Sequence, residues 1–480
     1  MLLLAPILIP LFSALIAVLL PRQGRARQWL GLGAGVALLA AAIALLLAVR
    51  AHGPMSLALG NWPLPYAIEV AADVLSAAMI VLAALLGLSA QLHALGRDSV
   101  VTGSPLVHAL LASVCAVFMA ADLFNLYVWF ELMLIATLGL LVGHGEQRQS
   151  EAAFKYLVLN LLGTLLMLAA VALIHAASGQ LNFSALRLAA SNPELAAGML
   201  PYLGLLVLAL LLKAGALPLF AWLPASYPLL PPAQLALVGG LLTKVAAYVL
   251  LRLVGQVFAL PDLWLEALGW LALLTMLAGV LGAAYHWDLR RILALHIVSQ
   301  IGYLLLGIAL ASPAAAAGTA FFLAHNILVK ANLFLIAGLM FSHAGHFDLR
   351  RIGGLYAARP LLALLFLLSA FSLVGVPPST GFWGKFMLVG EAFEQQRYVW
   401  GGGALAVGLL TLYSMSKIWL EGFWKGHPDA GHPIGGASRP AYAAVWILST
   451  LILVMGVYPA PFIELAQSAT QTFWPNGDGG

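Results

Sequence analysis

Apolar segments of about 20 residues recur along the whole chain and leave mostly short polar connections between them. A segment of that length crosses the hydrocarbon core of a membrane as a helix. With 63% hydrophobic residues, 8% charged residues and a mean hydropathy of +1.00, the chain is too apolar for a soluble globule. We therefore predict an all-α polytopic membrane protein of roughly 14 transmembrane helices.

The predicted spans follow one another along the whole chain, each ending within a few residues of a polar loop. The first starts at Met1 without a basic segment or a cleavage site, which favours a retained helix over a signal peptide. The spans lie near 2–20, 29–49, 73–95, 105–121, 123–142, 153–177, 199–228, 232–255, 263–284, 291–311, 315–341, 360–391, 401–420 and 442–460.

Two of these helices are interrupted by glycine and proline. The seventh contains Gly215 and Pro218, and the twelfth contains Gly375 and Pro378. In hydrocarbon a broken helix survives only where protein or water satisfies its free backbone groups, so each break predicts an internal, partly hydrated cavity. Paired interrupted segments in two halves of a membrane protein point to a transport site built from internal repeats.

The two breaks are five spans apart, and an odd number of spans inverts the second copy. We therefore expect two inverted five-helix repeats, each with a broken helix. The predicted parts are N-terminal helices at 1–104, a first repeat at 105–255, a second repeat at 262–420, and a loop, last helix and short tail at 421–480.

Two loops share the sequence Asp-Leu-Arg-Arg-Ile, at 288–292 and at 348–352. This sequence is one sign of an internal repeat. It is equally typical of a helix start, in which aspartate caps the helix and the arginines anchor the loop at the membrane surface. Both interpretations stay open on the sequence alone.

Five ionisable residues lie inside predicted spans: Glu131, Lys213, Lys244, Lys330 and Lys385. A charge at the bilayer centre costs a few kcal/mol, so each is a functional hypothesis by default. Any single lysine could instead snorkel to the surface or cap carbonyls at a helix break. Glu131 could not snorkel, because it follows the helix start by nine residues and lies about 13 Å down the axis.

Polar side chains accompany these charges at helical spacing. His296, Ser299, Gln300 and Tyr303 share one face of the tenth span. A second set steps by four along the sixth span and comprises Tyr156, Asn160 and Thr164. Such rows either hold helices together by hydrogen bonds or form a polar line through the membrane, and the sequence allows both.

Buried lysine is suited to proton transfer because its proton affinity is adjustable. Burial lowers the pKa of a lysine in general and a nearby carboxylate raises it again, whereas arginine stays charged. A Glu and Lys pair that opens and closes is therefore a proton switch, and Glu131 with Lys213 is the candidate pair. We find no arginine in the core of a predicted span.

Other chemistries have weaker support in the sequence. The single cysteine, Cys115, excludes a disulfide framework and a cysteine-ligated iron–sulfur cluster. No phosphate-binding glycine loop is present, and loop arginines explain the net charge of +4 better than nucleic-acid binding does. Histidines such as His296 and His325 could ligate haem, but no spacing pairs them. We expect no cofactor and no nucleic-acid partner, and the sequence assigns no metal site.

The run Asp122-Leu-Phe-Asn-Leu-Tyr-Val-Trp-Phe-Glu131 carries a family resemblance. Two further matches are Asn61-Trp62-Pro63 followed by 74–77, and Ala324-His325-Asn326 followed by Lys330-Ala331-Asn332. On these motifs the chain resembles the proton-translocating membrane subunits shared by respiratory complex I, membrane-bound hydrogenases and Mrp-type cation/proton antiporters. It is most similar to the D subunits of Mrp-type Na⁺/H⁺ antiporters.

The resemblance implies a 14-helix fold with two inverted repeats and a role for the matching residues in proton transfer. Glu131, Lys213, Lys244 and Lys385 match the family's glutamate of helix five and lysines of helices seven, eight and twelve, and Lys330 and His325 fall in the matched segment of helix eleven. Lys385 argues against the middle antiporter-like subunit of complex I, which has a glutamate there.

The resemblance therefore favours a subunit of a multi-subunit Na⁺/H⁺ antiporter in a bacterial or archaeal cell membrane. The implied partners are other membrane subunits, protons, Na⁺ or another monovalent cation, and the lipid bilayer. Two alternatives remain: a proton-pumping, non-redox subunit of complex I or a hydrogenase, and a stand-alone secondary transporter. Of these, only the subunit of complex I or a hydrogenase would belong to an enzyme complex. Neighbouring genes would discriminate the three: genes for small antiporter subunits favour the antiporter, genes for redox subunits favour complex I or a hydrogenase, and neither kind favours the stand-alone transporter.

Lys and Arg separate between alternate loops, which predicts the orientation. Of 22 basic residues, 14 fall on one side, including those of the loops at Arg22, Arg290, Arg350 and Lys425. Four fall on the other side and four lysines lie inside spans. By the positive-inside rule the basic loops are cytoplasmic, so both termini and the Asn61 loop face outward.

Cysteine accessibility labelling in a Cys115-free background measures this orientation. We expect impermeant reagent to reach a terminal cysteine from outside only and a cysteine beside Arg350 from inside only. Labelling of a terminal cysteine from the cytoplasmic side would contradict the orientation.

Overall fold

The computed structural model describes residues 1–21, 24–61, 67–95, 103–143, 147–427 and 435–474. Arg22 and the Trp62-Pro63 part of the resemblance lie outside these ranges. Eleven of the described helices are long and apolar enough to cross a membrane, and Ala5–Leu19, Pro105–Met119 and Pro360–Val374 are shorter apolar helices. Each of the 14 predicted spans corresponds to one of these helices, so the predicted all-α membrane fold is confirmed.

The helices follow the chain with short connections and end within a few residues of the predicted bounds. The first part contains α1 (Ala5–Leu19), α2 (Arg25–His52), α3 (Val74–Ala94), α4 (Pro105–Met119), α5 (Leu123–Leu141), α6 (Gln147–Ser178), α7 (Phe183–Ala190), α8 (Pro193–Ala214), α9 (Trp222–Ser226) and α10 (Pro232–Arg252). The second part contains α11 (Asp262–Tyr285), α12 (Leu289–Ala309), α13 (Pro313–Ala344), α14 (Leu355–Ala358), α15 (Pro360–Val374), α16 (Thr380–Glu394), α17 (Tyr398–Ile418), α18 (Arg439–Val457) and α19 (Ala460–Thr470).

Three helices form the centre of the bundle. The span of α12 is wholly buried, and the spans of α10 and α13 are 94% buried. By contrast only 33% of the α2 span is buried, so its outer face meets lipid. The central helices carry Lys244, Lys330 and His296, which places these side chains among protein rather than lipid.

Side-chain caps start several helices. Asp73 begins α3 in a capping box with Ser76, and Asp122 begins α5 by accepting from the backbone N–H of Asn125.

A small antiparallel pair of strands, β1 (Met55–Ala58) and β2 (Glu69–Ala72), leads into α3, with Met55 opposite Ala72. The sequence indicated turns in this stretch but not strands.

The repeated Asp-Leu-Arg-Arg loops pair with each other. Asp288 caps α12 and Asp348 caps a 3-10 turn. The N–H of Leu289 donates to the carbonyl of Phe347, and the N–H of Leu349 donates to the carbonyl of Trp287. The repeated sequence thus serves as a cap at both places and joins the two loops at one surface of the bundle.

Both predicted breaks are present, and each begins at a left-handed glycine. Gly215 ends α8 with φ +78°, and Gly375 ends α15 with φ +92°. Side chains satisfy carbonyls that the breaks free: the Trp222 indole donates to the carbonyl of Leu212 at 3.2 Å, and Lys385 donates to the last carbonyls of α15. Trp383, the counterpart of Trp222 in the sequence, instead donates to Gly456 in α18.

Gly381 allows α16 to approach the end of α15 closely. A Cβ added at Gly381 would overlap the carbonyl oxygen of Ser372 and would lie 2.9 Å from Cε1 of His325. A Cβ at Gly390, on the same helix, would meet nothing within 4 Å. The two glycines are therefore a matched pair for testing the packing of the break.

We expect Gly381→Ala to destabilise the protein by about 1–3 kcal/mol, because the backbone of α16 must move away from α15. Gly390→Ala should be neutral or slightly stabilising, since alanine favours a helix over glycine. The thermal unfolding midpoint in detergent measures both changes. Equal midpoints for the two variants would contradict the close packing.

Candidate functional site

The first group of polar residues joins α5, α6 and the last turn of α8. Lys213 Nζ donates to Thr164 Oγ1 at 2.9 Å and lies 5.1 Å from the ring centroid of Phe130. Within the described residues Lys213 makes no ion pair with Glu131 inside 4.0 Å. The two charges interact electrostatically across the gap. The two members of the candidate pair are thus not in contact in this structure.

The polar row on α6 is arranged so that only its end faces the lysine. Asn160 donates to the carbonyl of Tyr156, and the Thr164 hydroxyl donates to the carbonyl of Asn160. The hydroxyl proton of Thr164 is therefore used inside the helix, and its oxygen accepts from Lys213. Thr164, rather than Glu131, is thus the hydrogen-bond partner of Lys213 in this structure.

Lys244 lies in the centre of α10 and is fully buried. Its Nζ donates to the carbonyl of Gly239 at 2.7 Å, five residues earlier on the same helix. Tyr248, one turn further on, donates to the carbonyl of Phe118 at 2.7 Å. The lysine is thus held by a neutral backbone oxygen.

Lys330 lies in the middle of α13 with its side chain fully buried. Among the residues described, its Nζ has no hydrogen-bond partner, and Oδ1 of Asn326, one turn earlier, has none either. Lys330 interacts electrostatically with Lys244 on α10 and with Lys385 on α16. Lys330 thus interacts with one lysine in each half of the chain without contacting a partner of its own among the described residues.

The break between α15 and α16 is tied to α13 by a hydrogen-bonded row. His325 Nδ1 lies 2.7 Å from Thr380 Oγ1, which lies 2.6 Å from Ser372 Oγ. Lys385 Nζ donates to the carbonyls of Val374 at 2.8 Å and Leu373 at 3.2 Å. Lys385 thus caps a helix break, as one of the two interpretations expected, and also interacts electrostatically with Lys330.

The row on α12 is buried along its whole length. His296 Nε2 lies 2.9 Å from Ser414 Oγ of α17, and the Tyr303 hydroxyl donates to the carbonyl of Ala404 at 2.6 Å. Ser299 Oγ and both amide atoms of Gln300 have no hydrogen-bond partner in the described part of the chain. The two ends of the row thus join helices, and its middle leaves polar atoms unpaired.

Several partners of these residues were not predicted from the sequence: Thr380, Ser372 and Ser414. Each is a small hydroxyl residue in contact with a group on another helix. Thr164 was predicted, but as part of a row rather than as the partner of Lys213. Serine and threonine are common in membrane helices, so no local signal marks these four.

Two carboxyl groups outside the spans lie near the ends of helices. Burial raises the pKa of Asp122, the cap of α5, to about 6 despite the backbone N–H of Asn125. Burial also acts to raise the pKa of Asp73, but the neighbouring Arg252 guanidinium at 2.5 Å and the N–H of Ser76 hold it below its usual value.

In the described ranges, no group of three His, Cys, Asp or Glu residues could hold a metal ion.

The chain matches a family model described as the transmembrane part of NADH:quinone oxidoreductase/Mrp antiporter, over residues 120–411. The D subunit of the Na⁺/H⁺ antiporter of Alkalihalophilus pseudofirmus is 39% identical over 481 residues, which cover 98% of this chain and 97% of that protein.

Two solved structures extend the likeness to the fold. A chain of the Mrp complex from Dietzia sp. DQ12-45-1b superposes with a TM-score of 0.92 at 30% identity, covering 99% of this chain and 97% of that one. A chain of respiratory complex I from Thermus thermophilus superposes with a TM-score of 0.83 at 26% identity, covering 98% and 99%.

The family model covers more than half of the chain, and the sequence similarity to the Alkalihalophilus pseudofirmus subunit extends over nearly the whole length of both proteins. The protein therefore belongs to the NADH:quinone oxidoreductase/Mrp antiporter family of membrane subunits.

Proposed function

We propose that this chain is the proton-translocating membrane subunit of a multi-subunit Na⁺/H⁺ antiporter. The observation that carries the proposal is the buried line of lysines on α8, α10, α13 and α16, in a chain whose full-length relative is an antiporter subunit. A chain of a solved Mrp complex has the same fold. The protein is thus a transporter subunit and not an enzyme.

The lysines in this line are bound mainly by neutral oxygens. Lys213 contacts a threonine, and Lys244 and Lys385 contact backbone carbonyls. Hydrogen bonds to neutral oxygens are weaker than bonds to a carboxylate, so they hold a proton less firmly. Positive charge on one lysine also repels charge on the next, so that a proton arriving at one site favours release from its neighbour.

Lys213 is the residue that would switch in the first half. Its ammonium group is bound to Thr164 in this structure, and Glu131 has an oxygen that is buried without a partner among the described residues. Rotation of the lysine side chain would exchange the neutral partner for the charged one. The proton is held when Lys213 meets Glu131 and is released toward α10 when it does not.

His325 would carry the proton at the other end of the line. It lies just over one turn before Lys330, contacts Thr380, and interacts electrostatically with Lys330 and Lys385. The proposed proton-transfer residues are therefore those predicted from the sequence: Glu131, Lys213, Lys244, Lys330, Lys385 and His325.

The second candidate function is a proton-pumping, non-redox subunit of a complex I or hydrogenase. The structural likeness to a chain of Thermus thermophilus complex I supports this second candidate. Neighbouring genes for small antiporter subunits would favour the antiporter, and genes for redox subunits would favour the alternative.

We further propose that both termini face outward, in the cell membrane of a bacterium or archaeon, with the repeats at 105–255 and 262–420. The split of basic residues supports the orientation. The breaks at Gly215 and Gly375 support the repeats.

Replacing Glu131→Leu together with Lys213→Met tests the switch. We expect the complex to assemble, since a buried charged pair replaced by apolar residues of similar volume is often neutral for stability. Proton flux should fall by at least about tenfold, because neither residue can then carry or stabilise a proton. Cation-driven proton movement in liposomes, with the assembled complex, is the measurement.

Lys155→Met serves as the control, since Lys155 is an exposed residue of α6 away from the site. That variant should transport normally. If the double variant also transports at a near-normal rate, then the pair serves only to hold helices and the proton switch is wrong.

The chain alone should exchange no ions. It holds proton-transfer residues but, in its described part, no cluster of carboxylates that would coordinate a hard cation. Liposomes with the purified chain should show no sodium-dependent proton movement, whereas liposomes with the whole complex should. Exchange by the chain alone would make it a stand-alone transporter.

A further inference from the structure

We propose that Ser414 and His296 form a proton access path to Lys330 from the face of the bundle that carries Asp288 and Asp348, with Lys417 positioning its outer end. This inference rests on the proposed function and names one route within it. None of the three residues belongs to the line of transfer residues predicted from the sequence.

The path begins at a surface cavity of about 440 Å³. Its walls include His286, Trp287, Asp288 and Asp348, from the two paired loops. Lys417 of α17 lies beside it: Nζ donates to the carbonyls of Ala284 at 2.7 Å and His286 at 2.6 Å. Its Nζ is also 4.9 Å from the ring centroid of Trp287. Lys417 thus fixes α17 against the end of α11 next to the cavity.

Ser414 leads from Lys417 into the bundle. It precedes Lys417 by three residues, so both lie on one face of α17, and Ser414 is fully buried. Its Oγ lies 2.9 Å from Nε2 of His296 on α12. A hydroxyl both donates and accepts a hydrogen bond, which allows it to pass a proton between the cavity side and the imidazole.

His296 has the chemistry of a proton carrier at this position. It is fully buried, Nε2 faces Ser414, and Nδ1 has no hydrogen-bond partner within the described ranges. An imidazole can take a proton on one nitrogen and release it from the other. His296 contacts Ser414 on α17, three residues from Lys417, and also interacts electrostatically with Lys330 and Lys385.

The row continues inward from His296 along α12. Ser299 and Gln300 follow by three and four residues, on the same face, and are fully buried. Ser299 Oγ and both amide atoms of Gln300 lack partners in the part of the chain that the structure describes. Buried polar groups normally have a hydrogen-bond partner, and bound water is the usual one where protein does not supply it.

The proposed transfer moves one proton through His296 and starts from its Nδ1–H tautomer. An N–H bond forms at Nε2 of His296 as the O–H bond of Ser414 breaks, and Ser414 regains a proton from water that would reach it from the Lys417 side. The N–H bond at Nδ1 then breaks as water bound beside Ser299 and Gln300 takes that proton, which leaves His296 as the Nε2–H tautomer. Return of the imidazole to the Nδ1–H tautomer prepares it for the next proton. One proton enters from the surface and one leaves toward Lys330.

Proton flux through the assembled complex in liposomes tests the two inner residues. His296→Gln keeps a group that can bond to Ser414 but cannot carry a proton, and we expect flux to fall at least about tenfold. Ser414→Ala should lower flux severalfold and Ser414→Thr should retain it. The matched control is Thr411→Val, one turn earlier on α17, whose hydroxyl bonds only to the carbonyl of Val407.

Labelling of Ser414→Cys in a Cys115→Ala background gives a readout that a purely structural role would not change. A small, membrane-impermeant thiol reagent should react from the side of the Arg350 loop and not from the other side. Lack of reaction from that side, in a complex that transports, would overturn the path, as would normal flux in His296→Gln.

The two proposals fail differently. If the wild-type complex shows no cation-dependent proton flux, the proposed function is wrong. If the wild type transports and the Thr411→Val control matches it, a near-normal His296→Gln variant overturns this path alone.

Discussion

Backbone groups that leave a helix inside a membrane must be satisfied by protein or water, and the two breaks at Gly215 and Gly375 create that need. The protein meets it with side chains that reach back over each break. Trp222 serves the first, and Lys385 serves the second. The free carbonyls at the end of α15 thus have Lys385 as their donor, and this lysine is buried inside the protein.

The same constraint supports the proton transfer that we propose for these lysines. A charge in low dielectric is costly unless it is paired and hydrogen-bonded. Here Lys213, Lys244 and Lys385 donate hydrogen bonds only to neutral oxygens in the described structure, and Lys330 donates none. A buried lysine without a charged partner is costly in free energy when it carries a proton, so transfer of that proton to a neighbouring group is favourable. Full pairing with carboxylates would stabilise the protein more but would hold each proton in place.

Much of the fold follows from patterns visible in the sequence. The apolar runs predicted all 14 spans, and the glycine and proline pairs predicted both breaks, because a long apolar helix and an interrupted one have strong local signals. Helices α7 and α19 and the β1–β2 pair were not predicted. They are short elements stabilised by packing on the bundle, which local sequence does not reveal.

The site was predicted in part for the same reason. A charge inside an apolar run, such as Lys330, stands out, so the charged members of the candidate site could be predicted. The contacts of Thr164 with Lys213 and of Ser414 with His296 could not be predicted, because each depends on which helix faces the hydroxyl. Trp222 and Trp383 follow the two breaks at corresponding positions, but Trp222 donates to Leu212 in α8 whereas Trp383 donates to Gly456 in α18.

The proposed transport requires Lys330 to lose and regain a proton rather than provide a fixed charge. Proton flux through the assembled complex carrying Lys330→Arg tests it most directly, because arginine keeps the positive charge but does not release its proton. We predict a complex that assembles and transports at background level. Near-normal flux in that variant would show that a permanent charge is sufficient, and would contradict the claim.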